Sequence, residues 1–289
     1  MQYMTKKIAV INDLSGFGRC SLTAAISVLS AMGVQACPLP TAVLTAQTGY
    51  PSYYCDDYAD KMPIFCQEWQ KMQVQFDGIA TGFVASEKQI EHIFEFLDHF
   101  HKEGTFLLVD PVLGDDGKVY DMFSPRLLAL MQELAGKADI ITPNLTELCL
   151  LTGRNAEQVL QIKDEQKLRP LVEEMGQEML AKGPRTVVVT GIHYQDKQDE
   201  TLKMGNFVMT KQGSNLLAFP YVHGSYSGTG DLFAAVLTAG FAKGMEATKI
   251  IELAGSFIEQ AIRDSVQENV AEVEGVNFEK FLHLLIGRD

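Results

Sequence analysis

The stretch "SYSGTGDLFAAVLTAGFAKG", residues 225–244, sets Ser227, Gly228 and Gly230 just before Asp231, after which the residues turn apolar and helix-forming for several turns. An aspartate in the first turn of a helix is favoured by the dipole and can cap free N–H groups. The same arrangement has a second use. Glycines let the backbone approach a ligand closely, and the amides at a helix start form an anion hole. An acid beside that hole can take the proton of a hydroxyl attacking a bound phosphate. The stretch alone leaves cap and base both open.

Upstream, strand-like and helix-like segments alternate. "KIAVI" precedes a Gly-rich turn and a helical pattern over 21–32. "DGIATGF" precedes "SEKQIEHIFEFLDHFHKEG", "FLLVDPV" precedes "SPRLLALMQELAGK", and "DIITPN" precedes "LTELCLLTG". "TVVVTG" follows a long helix around 172–182. Near-continuous apolar strands separated by helices predict an α/β fold: a mostly parallel central sheet flanked by helices. "MGNFVMTK" and "NLLAFPYV", joined through Gln212, Gly213 and Ser214, predict a late β-hairpin. Three helices, roughly 231–243, 246–266 and 277–286, are expected to close the chain. No repeat or linker interrupts it, so a single domain over 1–289 is expected.

Composition narrows the function classes. The 289 residues are 46% hydrophobic and 21% charged, enough for one large core. The formal charge is -13, from 24 basic and 37 acidic residues, which argues against nucleic acid as a partner. No apolar run approaches the roughly 18 residues of a spanning helix, and no cleavage site follows the basic N-terminal residues. A cytoplasmic protein without a membrane partner is expected. Five cysteines, Cys20, Cys37, Cys55, Cys66 and Cys149, are odd in number and never spaced C-x-x-C, as expected of buried free thiols. His99 and His101, two apart on a predicted helix, make no metal site.

In parallel α/β sheets ligands bind beyond the carboxyl ends of the strands. The residues there are Asn12 and Asp13 before "LSGFG", then Thr81-Gly82-Phe83, Asp110-Pro111, Thr142-Pro143-Asn144 and Thr190-Gly191. In "TPNLTEL", Asn144 and Glu147 have the spacing of a capping box, and a carboxylate there also suits Mg²⁺ held through water. Asp110, directly after a buried strand, reads as the start of an Asp-Pro turn. "GDDGK", with Gly114, Asp115, Asp116 and Gly117, reads as a flap over 114–121 that little holds in the empty protein and that can exclude water when it closes. "NDLSGFGRCS" fails the G-x-G-x-x-G spacing, and no Walker A loop exists. Phosphate chemistry therefore points to "SGTGD".

On these residues a resemblance can be stated. "GTGDLFAAVL" resembles the signature of the ribokinase-like superfamily, and "TPNLTEL" is similar to its Asn-x-x-Glu motif. The resemblance covers essentially 5–286 and implies a three-layer ribokinase-like fold. It further implies ATP as co-substrate, an anion hole at Gly228, Thr229 and Gly230 with Asn144 and Thr190 near the ATP phosphates, Asp231 as base, and Mg²⁺ near Asp110 and Glu147. A monovalent cation near the anion hole and a homodimer are suggested only by the relatives.

Sugar kinases of that superfamily carry an early paired-glycine motif and a strand lid, which are not found here. "DPVLGDDGKVY" and "TPNLTELCLLTG" resemble pyridoxal kinases, and Thr48-Gly49-Tyr50 is similar to their segment lining the substrate ring. "LTAQ", ending at Gln47, and the acid Asp13 resemble hydroxymethylpyrimidine kinases. Phe83 stands where an aromatic covers the ring. Asp13, Gln47, Thr48 and Phe83 are thus the expected ring contacts. The implied reaction is phosphorylation of the hydroxymethyl group of a vitamin B6 form by ATP. Hydroxymethylpyrimidine kinase is the alternative, and a non-catalytic sensor on the same fold is the rival of another class.

Overall fold

The computed structural model describes residues 5–120, 124–196, 201–222 and 224–287. The chain divides into two compact units, residues 1–106 with 222–289, and residues 107–221. The single domain read from the sequence therefore has an internal division, with the middle of the chain forming one unit and both ends the other.

The first unit opens with β1 (Lys7–Ser15), buried along nearly its whole length, and α1 (Ser21–Ala31). β2 (Gln35–Leu44), the short β3 (Cys55–Asp57), α2 (Met62–Lys71), β4 (Gly78–Thr81) and α3 (Glu87–Phe100) follow. β1 pairs in parallel with β2 and β4, and β3 adds antiparallel to β2. α3 illustrates the local logic. Ser86 caps it by accepting from the Gln89 amide, and Ile90, Ile93, Phe96, Leu97 and Phe100 recur at helical spacing on its buried face. Each such side chain contributes roughly 1.5–3 kcal/mol on burial.

β2, β3 and α2 are absent from the sequence reading. Pro38 and Pro40 conceal β2, because proline withdraws a ladder donor. They are tolerated because the Gln35 amide bonds Lys6 on the β1 side, so by period two both prolines face the other edge, where β3 reaches only Ala42, Val43 and Leu44.

The second unit contains β5 (Phe106–Val109), a two-strand hairpin of β6 (Gly114–Asp115) and β7 (Lys118–Val119), α4 (Pro125–Lys137) and β8 (Ile140–Ile141). α5 (Leu145–Thr152), α6 (Ala156–Leu160), α7 (Glu165–Lys182), β9 (Thr186–Gln195), β10 (Leu202–Thr210) and β11 (Gly213–Pro220) complete it. β5, β8 and the start of β9 run parallel, while β9, β10 and β11 are antiparallel. The late hairpin is present. Thr190 and Gly191, expected beyond a strand end, instead lie inside β9 at an irregularity: Gly191 has φ +64°, the register against β10 shifts there, and buried Asn206 accepts the Gly191 amide at 3.2 Å.

The chain then returns to the first unit with α8 (Thr229–Ala242) and α9 (Ala247–Gln267). α8 is apolar on almost every side and packs closely on α9, since a Cβ at Gly240 would come within 2.6 Å of Ile250. The expected final helix is a 3₁₀ run, Phe278–Leu285. Both units are α/β: the strands of the first are mostly parallel, and those of the second run parallel from β5 to β9 and antiparallel from β9 to β11. No described helix is long and apolar enough to cross a membrane.

Candidate active site

In the first unit the candidate residues gather at the carboxyl end of β1 and the start of α8. β1 loses register against β2 between Asn12 and Leu14, which re-aims side chains where two consecutive polar residues are buried. Asn12 and Asp13 are 5% and 6% exposed. Asp231 accepts from Asn12 Nδ2 at 3.0 Å. Burial pushes the Asp231 carboxyl up to about 6, the Ser21 amide opposes this, Asp13's charge adds to the rise, and the Asn12 bond again opposes it. Asp13 is itself raised by burial, against the pull of the Ser21 and Ser15 hydroxyls; Ser15 Oγ donates to Oδ2 at 2.8 Å. Ser21 holds a left-handed conformation, φ +50°, while serving both acids. Cys20 is driven up to about 12 by burial and by the two carboxylates, so it is an inert thiol.

The turn into α8 requires its first glycine. Gly228 has φ +80°, and a Cβ on it would lie 2.0 Å from the Arg19 carbonyl. Gly230 faces open space. Leu232 donates back to Gly228 O at 3.0 Å, so the amides of Thr229, Gly230 and Asp231 belong to the first turn, where a helix supplies no carbonyl partner. The Thr229 hydroxyl closes the turn onto Tyr226 O at 3.1 Å. Asp231 does not cap its own helix: the N-cap of α8 is Gly228, and the carboxylate faces Asn12 and the Ser21 amide at the start of α1.

Among the expected ring contacts, Phe83 is half-buried, its amide donating to Asn12 Oδ1 at 2.8 Å. Gln47 is hydrogen-bonded within the protein. Its Nε2 donates to Val273 O at 2.8 Å and to Ser227 Oγ at 3.3 Å, while Oε1 accepts the Gly49 amide at 2.8 Å. These bonds brace the turn containing exposed Thr48. Cys55 is likewise exposed, not buried, although all five cysteines are free thiols.

The second unit gathers Asp110, Thr142, Asn144, Glu147 and Thr190. Asn144 and Thr190 form an isolated parallel bridge, and the Thr142 hydroxyl donates to Asp110 Oδ1 at 2.9 Å. The capping box is real: Asn144 Oδ1 accepts the Glu147 amide at 2.9 Å, and Glu147 Oε2 accepts the Asn144 amide at 2.7 Å. Glu147 is 5% exposed, and burial, then the charge of Asp110, pushes its carboxyl well above the ordinary range. Two mutually repelling carboxylates made of hard oxygens fit Mg²⁺, which takes one or two such groups and keeps its waters. Among the described residues no three Asp, Glu, His or Cys side chains form a group that could hold a metal ion.

The flap is held more firmly than the sequence suggests. Leu113 N donates to Glu147 Oε1 at 3.1 Å, Asn144 Nδ2 to Gly114 O at 2.9 Å, and Gly117 N to Thr146 Oγ1 at 2.9 Å. Three polar residues of the α5 start thus anchor the hairpin over Gly114–Asp115 and Lys118–Val119, and a loosely held loop over 114–121 is corrected as far as Tyr120; residue 121 lies outside the described residues. Hydrogen exchange checks this: the Gly117 amide exchanges slowly without ligand, and Thr146→Val speeds it selectively. Equal rates in parent and variant would mean that another contact holds the turn.

With this geometry in view, a model of the phosphomethylpyrimidine kinase family matches residues 17–275. The chain belongs to that family. It is similar to a Bacteroides thetaiotaomicron protein assigned as a phosphomethylpyrimidine kinase and solved with pyridoxal, at 37% identity and TM-score 0.89, over 98% of this chain and 96% of that one. The Lactobacillus plantarum pyridoxal kinase structure is 28% identical with TM-score 0.82, over 98% and 97%. A pyridoxine/pyridoxal/pyridoxamine kinase of Bordetella avium is 26% identical over 255 residues, 85% of this chain and 81% of its own. The ribokinase-like α/β fold expected from the motifs is the fold of this family member. Sequence reasoning set Asn12 and Asp13 just beyond the first strand and gave Asn12 no role; both lie inside β1, which runs on to Ser15.

Proposed function

We propose that the chain is an ATP-dependent kinase for the hydroxymethyl group of a vitamin B6 form, pyridoxal, pyridoxamine or pyridoxine. The observation that carries this is Asp231: an acid with its pKa lifted to about 6, in the first turn of a helix that begins at a glycine turn and whose first amides have no carbonyl partner within the helix. An acid so tuned is ionised at neutral pH and basic enough to accept a hydroxyl proton. As the substrate oxygen attacks the γ-phosphorus of ATP, its proton passes to Asp231 and the bond to the bridging oxygen of ADP breaks. The first amides of α8 neutralise charge growing on the transferred group, a term that depends on their being fixed beforehand. Asp110 and Glu147 would hold Mg²⁺, which when bound supplies charge neutralisation to the nucleotide phosphates. Asn144 and Thr190 are assigned to the phosphates on the same ground.

Two observations bear on the vitamin. The 37% identical Bacteroides protein was solved with pyridoxal, which supports a B6 form. Asp13, buried and acidic, favours a ligand presenting an N–H donor, as the exocyclic amine of hydroxymethylpyrimidine does, and this is the second reading. Both rings are flat nitrogen heterocycles with a hydroxymethyl arm, so edge hydrogen bonds must discriminate, by factors that reach about 10⁴ when a buried group goes unpaired. Measured side by side, kcat/KM is expected to be highest for a B6 form; a pyrimidine value above pyridoxal, pyridoxamine and pyridoxine overturns that choice. Asp13→Ser is expected to shift the ratio toward pyridoxal in either case.

A further inference from the structure

Asn12 lies in the core of the first unit, yet none of its polar atoms is idle. Its Oδ1 accepts two backbone amides, Asp13 N at 2.9 Å and Phe83 N at 2.8 Å. A flipped side chain would set an NH₂ group against two N–H donors, so the orientation is dictated by the backbone. Nδ2 is thereby committed to Asp231 Oδ1, 219 residues away in sequence, at 3.0 Å. Gly82 makes room for this: a Cβ there would lie 2.5 Å from Asn12 Nδ2 and 2.6 Å from Cγ.

We infer that Asn12, oriented by the Asp13 and Phe83 amides and seated against Gly82, is a positioning residue that fixes the Asp231 carboxylate for proton acceptance. The inference rests on the reading of Asp231 as the base. It also ties two parts of the reaction together, because the backbone of Phe83, the candidate ring contact, hangs on the same amide that aims the base. The groups facing Asp231 are Asp13 on β1, the neutral Cys20 thiol and the Ser21 amide, and Asn12 stands beside Asp13 as a second side-chain influence on its charge. Its Nδ2 bond favours the ionised form, opposing burial.

Asn12→Asp keeps the two amide bonds but removes the donor toward Asp231. The expected result is a kcat/KM profile whose acidic limb rises by about one pH unit or more, the lost hydrogen bond and the new carboxyl beside Asp231 acting in the same direction. kcat should fall by about tenfold with a smaller change in KM. Carboxyl carbon NMR, with the Asp231 signal assigned through Asp231→Asn, reads the same upward shift without turnover. Gly82→Ala displaces the amide without changing Asn12, so it lowers kcat in the parent and adds no further loss in an Asn12→Ala background. It also serves where Asn12→Asp does not fold. A folded Asn12→Asp protein with an unmoved limb and an unmoved Asp231 signal overturns the inference, as do additive losses for Gly82→Ala and Asn12→Ala. Normal turnover in Asp231→Asn would instead overturn the reading of the base.

Discussion

Asp231→Asn is expected to lower kcat by at least about 10²-fold while the protein melts no lower than its parent. Asparagine keeps the size of the side chain and an oxygen for the Asn12 amide, which donates to Oδ1 at 3.0 Å, but accepts no proton. Stability should follow the opposite direction from activity. The folded pKa of about 6 lies above the ordinary aspartate value, so the stability linked to this group is present at low pH and lost as pH rises through about 6. At pH 7 the parent carries that cost and the variant does not. In the parent, kcat/KM is expected to fall tenfold per unit below about pH 6, where the base is protonated. An Asp231→Asn protein that melts lower with normal turnover per folded molecule would show Asp231 to be structural, and would favour a non-catalytic sensor.

The second large effect separates two glycines two positions apart. Gly228→Ala drives a Cβ to 2.0 Å from the Arg19 carbonyl at φ +80°, and the clash is with backbone, which has no rotamer to give. The variant is expected to lose both stability and turnover, the latter by about 10²-fold, because a displacement of about 1 Å at positioned amides has that effect. Gly230→Ala meets nothing within 4 Å and lies inside α8, where alanine is a better helix former by up to about 1 kcal/mol. It should melt at or above the parent temperature. Its turnover should nevertheless fall, since in the proposed mechanism the transferred phosphoryl approaches over Gly230. Full activity in Gly230→Ala would place the phosphoryl elsewhere, and a stable, active Gly228→Ala would remove the turn from the mechanism.

Some of this was written in consecutive residues. A helix start, a glycine turn and an acid occupy seven neighbouring positions of "SYSGTGD", so their local geometry depends on backbone preferences that a short window contains. The capping box of Asn144 and Glu147 is equally local, three residues apart and present as expected. Alternating apolar runs and amphipathic helices specified the α/β class for the same reason, except in β2, where two prolines imitate a loop.

What the acids do once formed was decided only by tertiary packing. Asp231 reads equally as a cap or a base until Asn12 crosses to it from β1, and nothing near Gln47 in sequence shows that Val273 and Ser227 bond its amide. The flap reads as loose until Glu147 and Thr146 take the Leu113 and Gly117 amides. Each of these is a hydrogen bond between residues 29 to 226 positions apart. Local preference carries no information on such pairs, because which buried donor meets which acceptor is set by how strands and helices stack. The residue types that make the chemistry were thus determined by the sequence alone, whereas the charge state and aim of the Asp231 carboxylate were set by the burial and by Asn12, which exist only in the folded chain.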